Sequence, residues 1–270
     1  MTSAPAPAQT LGSQILARCR QEGRAALIGY LPVGYPSVRE SIAAMEALIE
    51  GGIDIVEVGV PYSDPLMDGP LIQRATELAL DQGCQVDDVF TAVRAVADGG
   101  STAYVMTYWN LVLRRGVDRF AADLATAGAS GLITPDLIPD EAGEWIEAAD
   151  RHELDRVFLI APSSTRERLT VATAACRGFV YAASTMGVTG TRDSVGSAAA
   201  QVVERAREVT DLPLCVGLGV STRAQAAEVA GYADGVIVGS ALVRALGEGG
   251  PAAVRTLTQE LAAGVREGRR

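Results

Sequence analysis

Two acidic residues, Glu57 and Asp68, have the types and spacing of a catalytic acid–base pair. Glu57 ends a run made mostly of Ile and Val, where a buried carboxylate is costly without a purpose. Asp68 follows in a loop constrained by Pro and Gly. Apolar surroundings raise the pKa of a carboxyl group and a polar loop leaves one ionised, so the two residues could divide acid and base work. An alternative is equally supported by the carboxylates alone: Glu57 pairs with an Arg of a neighbouring strand, and Asp64 and Asp68 cap turns.

Three Gly-containing segments in the second half of the chain could bind a phosphate group. They are the segments 184–192, 217–221 and 239–241. Glycine lets the backbone approach a phosphate closely, and the N–H groups at the start of a helix then bind it without Lys. The long segment 184–192 is also typical of a lid that excludes water. One Gly pair is weak evidence because turns need Gly, but three in succession favour a phosphate site.

The residue types that are missing exclude several mechanisms. All 23 basic residues are Arg, so a Schiff-base aldolase, an enzyme that holds pyridoxal phosphate on Lys, and a Walker-type phosphate loop cannot be built. His152 is the only histidine, which excludes a His-rich zinc site. Its setting, DRHELDR, is typical of the polar end of a helix, so we predict an exposed bystander. We therefore expect neither a metal ion nor a cofactor.

Charge and composition limit the partners and the location. The net charge is -10 and the pI is about 4.7, which would repel nucleic acid. The first ten residues lack the features of a signal peptide, and no apolar run is long enough to span a membrane. We expect a cytoplasmic protein that contacts no membrane. The four cysteines are widely spaced in or beside apolar stretches, which predicts reduced core or near-core residues: Cys19, Cys84, Cys176 and Cys215.

The elements that must position these groups alternate between strands and helices. Short apolar runs, often β-branched, are each followed by a stretch with helical spacing. The predicted strands are 26–30, 53–58, 103–107, 131–134, 156–160, 179–182, 214–216 and 235–238. Helices lie between them, with N-caps at Ser37, Asp140 and Thr222. Crossover helices imply a buried parallel sheet.

Two architectures have eight such units, an open doubly wound sheet and a closed barrel. No GxGxxG motif follows the first strand, and the Gly-rich loops lie late in the chain, where a barrel places its phosphate site. We predict a single (β/α)₈ TIM barrel as one domain over residues 1–270. The segment 1–10 and the last few residues are expected to fray.

Four segments together resemble the tryptophan synthase α-subunit family. They are VEVGVPYSDPLMDGP at 56–70, MGVTG at 186–190, GLGVS at 217–221 and IVGSALV at 237–243. They occur in the family's order across about residues 25–246, and the first is highly specific. The resemblance implies cleavage of indole-3-glycerol phosphate into indole and glyceraldehyde 3-phosphate, a lyase reaction of tryptophan biosynthesis.

The resemblance also implies roles for individual residues. Glu57 would be the principal acid–base residue, and Asp68 would hold the indole ring nitrogen. Thr189 would touch Asp68 when the lid closes. The residues implied to line the indole slot or lie beside the carboxylates are Tyr30, Tyr108, Ile133 and Tyr181, and those implied to hold the phosphate are Gly190, Gly219, Gly239 and Ser240.

A partner is implied as well, the β subunit of the family, in an α₂β₂ assembly. The candidate contacts are the loop 62–66, with Tyr62, Asp64 and Pro65, and the residue Arg115 after the third strand. The alternative is that these are solvated turns. Three positions depart from the family pattern: Thr185 stands where many relatives have Arg, and Pro32 and Tyr35 stand where Thr and Asp are common.

Two other functions stay open on the sequence alone. The chain could be another barrel enzyme with a phosphate site in the same late loops, such as an isomerase or a prenyl-glyceryl phosphate synthase. It could also be a catalytically weak subunit whose main role is to activate the β subunit.

Overall fold

Nine parallel strands form one sheet that curves into a nearly closed barrel. The computed structural model describes residues 9–183, 196–217 and 219–268. The strands are β1 (Ala26–Pro32), β2 (Ile55–Gly59), β3 (Ala103–Met106), β4 (Gly131–Ile133), β5 (Asp155–Val157), β6 (Leu159–Ile160), β7 (Val180–Ala183), β8 (Leu214–Gly217) and β9 (Gly235–Val238). Their order in the sheet is β5-β4-β3-β2-β1-β9-β8-β7-β6. The predicted TIM barrel is confirmed.

The ninth strand comes from a break in the predicted strand 156–160. β5 and β6 are separated only by Phe158, whose backbone N–H is directed at Cys176 Sγ (3.4 Å) rather than at a neighbouring strand. β5 pairs with β4 and β6 pairs with β7, so the two pieces fill one position of the barrel. The strands are buried on both faces, as all seven residues of β1 show, which explains the near-continuous apolar runs in the sequence.

Helices alternate with the strands, and all of them except the first, which precedes β1, cover the outside of the barrel. They are α1 (Leu11–Gln21), α2 (Val38–Glu50), α3 (Pro70–Asp81), α4 (Val86–Asp98), α5 (Trp109–Arg115), α6 (Val117–Ala127), α7 (Gly143–Arg151), α8 (Arg166–Ala175), α9 (Gly196–Arg207), α10 (Arg223–Ala230) and α11 (Ser240–Glu267). Residues Pro139–Glu141 form a 3₁₀ turn. α11 is interrupted at Gly250 (φ 64°), next to Pro251. None of the helices in the described part is long and apolar enough to cross a membrane.

Two of the three predicted N-caps are confirmed. Ser37 and Thr222 accept hydrogen bonds from the N–H groups of Glu40 and Gln225, which satisfies donors that a helix start leaves free. The prediction for Asp140 is wrong. It lies in the 3₁₀ turn before α7, and its carboxylate pairs with Arg168 at 2.7 Å instead.

The helix α1, which the sequence did not predict, closes one end of the barrel. Its buried side chains Ile15, Leu16 and Cys19 pack with the residues that fill the barrel interior. Thr10 lies in the segment predicted to fray, yet it caps this helix and donates its hydroxyl to Asp155. The N-terminal helix is therefore part of the barrel core.

Asp155 is the polar anchor of this closure. Its side chain is 1% exposed, and it accepts hydrogen bonds from Tyr104 Oη (2.6 Å), Ser13 Oγ (3.1 Å) and Arg177 Nε (3.3 Å) in addition to Thr10. A buried carboxylate is tolerated only when its oxygens are satisfied in this way.

We expect Asp155→Ala to lower the free energy of unfolding by about 3 kcal/mol, because the buried Tyr104 hydroxyl group loses its acceptor and the half-buried Arg177 guanidinium keeps only its ion pair with Asp150 (3.5 Å). Urea unfolding followed by circular dichroism measures this. Asp81→Ala, at the exposed end of α3, is the matched control and should change stability by less than about 0.5 kcal/mol. Equal effects of the two substitutions would contradict the anchoring role.

Candidate active site

Glu57 lies inside the barrel, and no Arg among the described residues forms an ion pair with it. It stands on β2, in register with Tyr30 of β1 and Tyr104 of β3. The residue is 1% exposed, and its Oε2 makes no hydrogen bond to any described residue. Burial raises its pKa to about 8, and the negative charge of Asp68 adds to this shift. The alternative of an Arg partner is wrong for the described residues, and the carboxyl group is protonated at neutral pH.

Asp68 lies at the end of the loop between β2 and α3. It is half-buried, and burial raises its pKa to about 6. The surroundings are thus less polar than the sequence indicated, although Asp68 is still mostly ionised at pH 7. Gly69 caps α3 and Pro70 begins it, and Gln73 Nε2 donates to the Asp68 carbonyl at 2.8 Å. The start of α3 therefore fixes one side of the Asp68 backbone.

Two tyrosines lie beside the carboxyl pair. The burial of Tyr30 and Tyr181 and the charges of both Glu57 and Asp68 raise the pKa values of the two phenols well above the usual value. Each ring lies over a glycine of the next strand. A Cβ at Gly59 would come within 2.4 Å of Tyr30 Oη, and one at Gly217 within 2.4 Å of Tyr181 Oη.

These glycines are functional residues that the sequence analysis missed. Neither Gly59 nor Gly217 has a positive φ, so the signal was not one of backbone conformation. Their role is to leave space: because these residues have no Cβ, the strands can accommodate the Tyr30 and Tyr181 rings. Gly59 belongs to the specific segment 56–70, where a Gly at the end of an apolar strand was a usable signal.

Tyr108 and Ile133 complete the apolar side of the site. Tyr108 is 5% exposed, and its ring stacks on Tyr62 with centroids 5.0 Å apart. Ile133 is fully buried in the interior cluster that Met106 and Tyr181 also contact. The structure thus places Tyr30, Tyr108, Ile133 and Tyr181 around one end of the barrel, where the strands end.

The candidate phosphate residues lie at the same end. β8 and β9 are neighbours in the sheet, and Gly219 and Gly239 follow them. Gly219 has a φ of 69°, which a side chain would disfavour. Gly239 precedes α11, whose first residue is Ser240, and no side chain caps this helix start. Unpaired N–H groups of a first turn suit an anion. Thr185, Thr189 and Gly190 lie outside the described residues.

The predicted partner contacts differ in how available they are. Tyr62 is half-buried against Tyr108, Asp64 is exposed and Pro65 is half-buried. Leu66, next in the same loop, is 79% exposed. Arg115 is engaged within the chain: it pairs with Asp87 (2.8 Å) and Asp123 (2.6 Å) and lies over the Phe90 ring. Its guanidinium therefore links α5 to α4 and α6.

A cavity of about 380 Å³ opens beside the Asp68 loop. It is mostly apolar, and its walls include Met67, Ile138, Leu159, Val171 and Ala183. Ile138 and Val171 are large hydrophobic residues that are more than 40% exposed. The sequence analysis missed this feature, because its walls come from loops, strands and a helix that are distant in sequence. In the part of the chain that the structure describes, no group of His, Cys, Asp or Glu is arranged to hold a metal ion.

Comparisons with known proteins agree with this geometry. The family model described as tryptophan synthase alpha chain matches residues 16–267. The tryptophan synthase alpha chain of Mycobacterium avium (strain 104) is 64% identical over 267 residues, which cover 99% of this chain and 98% of that protein. That of Mycobacterium tuberculosis (strain ATCC 25177 / H37Ra) is 66% identical over 250 residues, 93% and 92% of the two chains. A structure of Mycobacterium tuberculosis tryptophan synthase superposes with a TM-score of 0.92 at 62% identity, covering 96% of this chain and 99% of that chain.

Proposed function

The chain belongs to the tryptophan synthase alpha chain family, which cleaves indole-3-glycerol phosphate to indole and glyceraldehyde 3-phosphate, and we propose that Glu57 and Asp68 carry out this cleavage. The observation that supports the pair is the buried carboxyl group of Glu57, whose Oε2 has no hydrogen-bond partner among the described residues and whose pKa is about 8, beside Asp68, whose pKa is about 6. At pH 7 one is an acid and the other an anion.

The reaction is a retro-aldol cleavage in which the indole ring is the electron sink. Protonated Glu57 gives its proton to C3 of the indole, which becomes an indolenine with positive charge on the ring nitrogen. The resulting carboxylate takes the proton of the side-chain hydroxyl group next to C3. The carbon–carbon bond then breaks, its electrons restore the indole, and the hydroxyl carbon becomes the aldehyde of glyceraldehyde 3-phosphate. Glu57 ends protonated, as it began.

Asp68 stabilises the charge that develops on the ring nitrogen. Its carboxylate is half-buried, so it acts through a medium of lower dielectric than water, where a fixed charge is more effective. Tyr30, Tyr108, Ile133 and Tyr181 form the apolar walls for the ring. At the other end of the substrate, the backbone at Gly219 and Gly239 and the hydroxyl group of Ser240 hold the phosphate. Gly190, as a further phosphate-binding residue, and Thr189, as the lid residue that touches Asp68 on closure, remain part of the proposal.

The dependence of kcat/KM on pH tests the two protonation states. We expect a bell-shaped profile with half-maximal points near pH 6 and pH 8. Below the lower point Asp68 gains a proton and loses its charge. Above the upper point Glu57 loses the proton that it must deliver. The measurement is indole release by the purified chain between pH 5 and pH 9.5. A flat profile across this range would contradict the assignment.

We also propose that a tryptophan synthase β subunit binds the rim at the active-site end, in an α₂β₂ assembly. The exposed Leu66 and Asp64, with Tyr62 and Pro65 in the same loop, form this rim together with Ile138 and Val171. Exposed apolar side chains around a concave surface are typical of interaction sites. Because Arg115 is already paired within the chain, its role is to hold α5 in place beside the rim.

Size-exclusion chromatography with a β subunit tests this surface. We expect one complex at micromolar concentration, and we expect Leu66→Glu to weaken the affinity at least about tenfold, since it places a charge in an apolar contact. Leu78→Glu, on α3 and 40% exposed, is the matched control and should leave binding unchanged. Complex formation that is insensitive to Leu66→Glu would place the interface elsewhere.

The cellular setting is proposed as the cytoplasm, with residues 1–270 as one domain. Its support is the four cysteines, which are all free and buried, as in proteins of reducing compartments.

A further inference from the structure

Tyr108 makes two contacts with the loop that carries Asp68. The backbone N–H of Met67 donates to Tyr108 Oη at 3.0 Å. The Tyr108 ring also stacks on Tyr62, at an interplanar angle of 29°. The first contact is one residue before Asp68, and the second is near the beginning of the loop. One side chain thus holds the loop at two points.

The rest of the loop contributes fewer fixed points. Its tip is exposed: Ser63, Asp64 and Leu66 all lie in solvent. After Asp68, the start of α3 fixes the backbone through Gln73. Directly before Asp68, the backbone N–H of Met67 is held by the Tyr108 hydroxyl group. The direction of the Asp68 carboxylate therefore depends on α3 on one side and on the Tyr108 hydroxyl on the other.

Tyr108 is itself well fixed. It is 5% exposed and stands at the start of α5. The next residue, Trp109, donates its backbone N–H to Asp136 in the loop after β4 (3.0 Å). Asn110 donates to Tyr62 Oη at 3.3 Å, which adds a second connection to the same loop. Burial raises the pKa of Tyr108 to about 12, so the phenol remains neutral and its oxygen remains available to Met67 at any working pH.

We propose that Tyr108 is a positioning residue for Asp68, its hydroxyl group holding the Met67 backbone so that the Asp68 carboxylate faces the indole nitrogen. This role is distinct from the ring's contact with the substrate, and it rests on the proposed function of Asp68. A shift of the carboxylate by a fraction of an ångström weakens its interaction with a charge that develops only in the transition state, so the effect falls on kcat more than on KM.

The experiment is a double-mutant cycle of Tyr108→Phe with Asp68→Asn, measured as indole release from indole-3-glycerol phosphate. Tyr108→Phe keeps the ring wall and the stack on Tyr62 and removes only the hydroxyl group. We expect it to lower kcat about tenfold with KM within about twofold, and to lower kcat less than about twofold when Asp68→Asn is already present.

Tyr232→Phe is the matched control. It removes a phenol whose oxygen has no partner among the described residues, at the opposite end of β9, and should leave kcat unchanged. Thermal unfolding of each variant verifies that it folds.

The outcomes separate the two proposals. If Asp68→Asn alone leaves cleavage unchanged, the proposed role of Asp68 fails and this inference fails with it. If Asp68→Asn lowers kcat but Tyr108→Phe has no effect, the role of Asp68 stands and the positioning role of Tyr108 is overturned. Equal losses from Tyr108→Phe in both backgrounds also overturn it, because the hydroxyl group would then act independently of Asp68.

Discussion

Glu57→Gln is expected to lower kcat for indole release at least about 1000-fold, because the amide can neither deliver the first proton nor accept the second. Steady-state kinetics at pH 7 measure this loss. KM should change little, since the amide has the size of the carboxyl group and the phosphate end of the site is untouched. Glu46→Gln, an exposed position on α2, is the matched control. A Glu57→Gln variant that folds normally and keeps its cleavage rate would remove Glu57 from the mechanism.

The same substitution is expected to raise the stability of the folded protein. The direction of this effect follows from the raised pKa of Glu57. The ordinary Glu value is 4.5 and the folded value is about 8. Below the first value both states are protonated. As the pH rises from 4.5 to 8, Glu57 ionises in the unfolded chain but not in the folded protein. The free energy of unfolding of the wild type therefore falls by about 1.4 kcal/mol per pH unit, whereas that of Glu57→Gln does not. The melting temperature of Glu57→Gln relative to wild type should therefore increase between pH 4.5 and pH 8.

The barrel was predictable because its signals are local and repeated. Each strand is an apolar run followed by a helical pattern, and the run 235–238 matches β9 in full. The break at Phe158 was not predictable, since it depends on a contact with Cys176 that is distant in sequence. α1 was missed because it precedes the first strand and is held by Asp155, a contact that no local pattern shows.

The site residues, too, were predictable where their signal is local and not where it depends on contacts distant in sequence. Glu57 stood out as a carboxyl group in an apolar strand, which is a local contradiction and so a visible one. Its pKa ordering relative to Asp68 was also predicted, but the burial of Asp68 was not, because its surroundings come from Tyr108 and the loops around it. The contacts of Arg115 were not predictable. The sequence analysis named it as a candidate partner contact or a residue of a solvated turn, and its contacts with Asp87, Asp123 and Phe90 depend on the packing of α4 and α6 against α5.

Asp68→Asn is expected to lower kcat about 100-fold, less than the loss of Glu57, because it removes a stabilising charge and leaves the proton donor in place. The amide oxygen can still accept the indole N–H, so KM should change by less than the rate. The exposed Asp98 at the end of α4 provides the matched control, Asp98→Asn.

The pH profile of Asp68→Asn carries the more specific test. The lower limb near pH 6 should disappear, since the group that titrates there is gone. The upper limb should move below pH 8, because the Asp68 charge no longer raises the pKa of Glu57. Burial is the larger cause of that raised pKa, so the limb should remain well above the ordinary Glu value of 4.5. An upper limb that stays in place would mean that the two carboxyl groups do not interact, and the division of acid and base work between them would have to be abandoned.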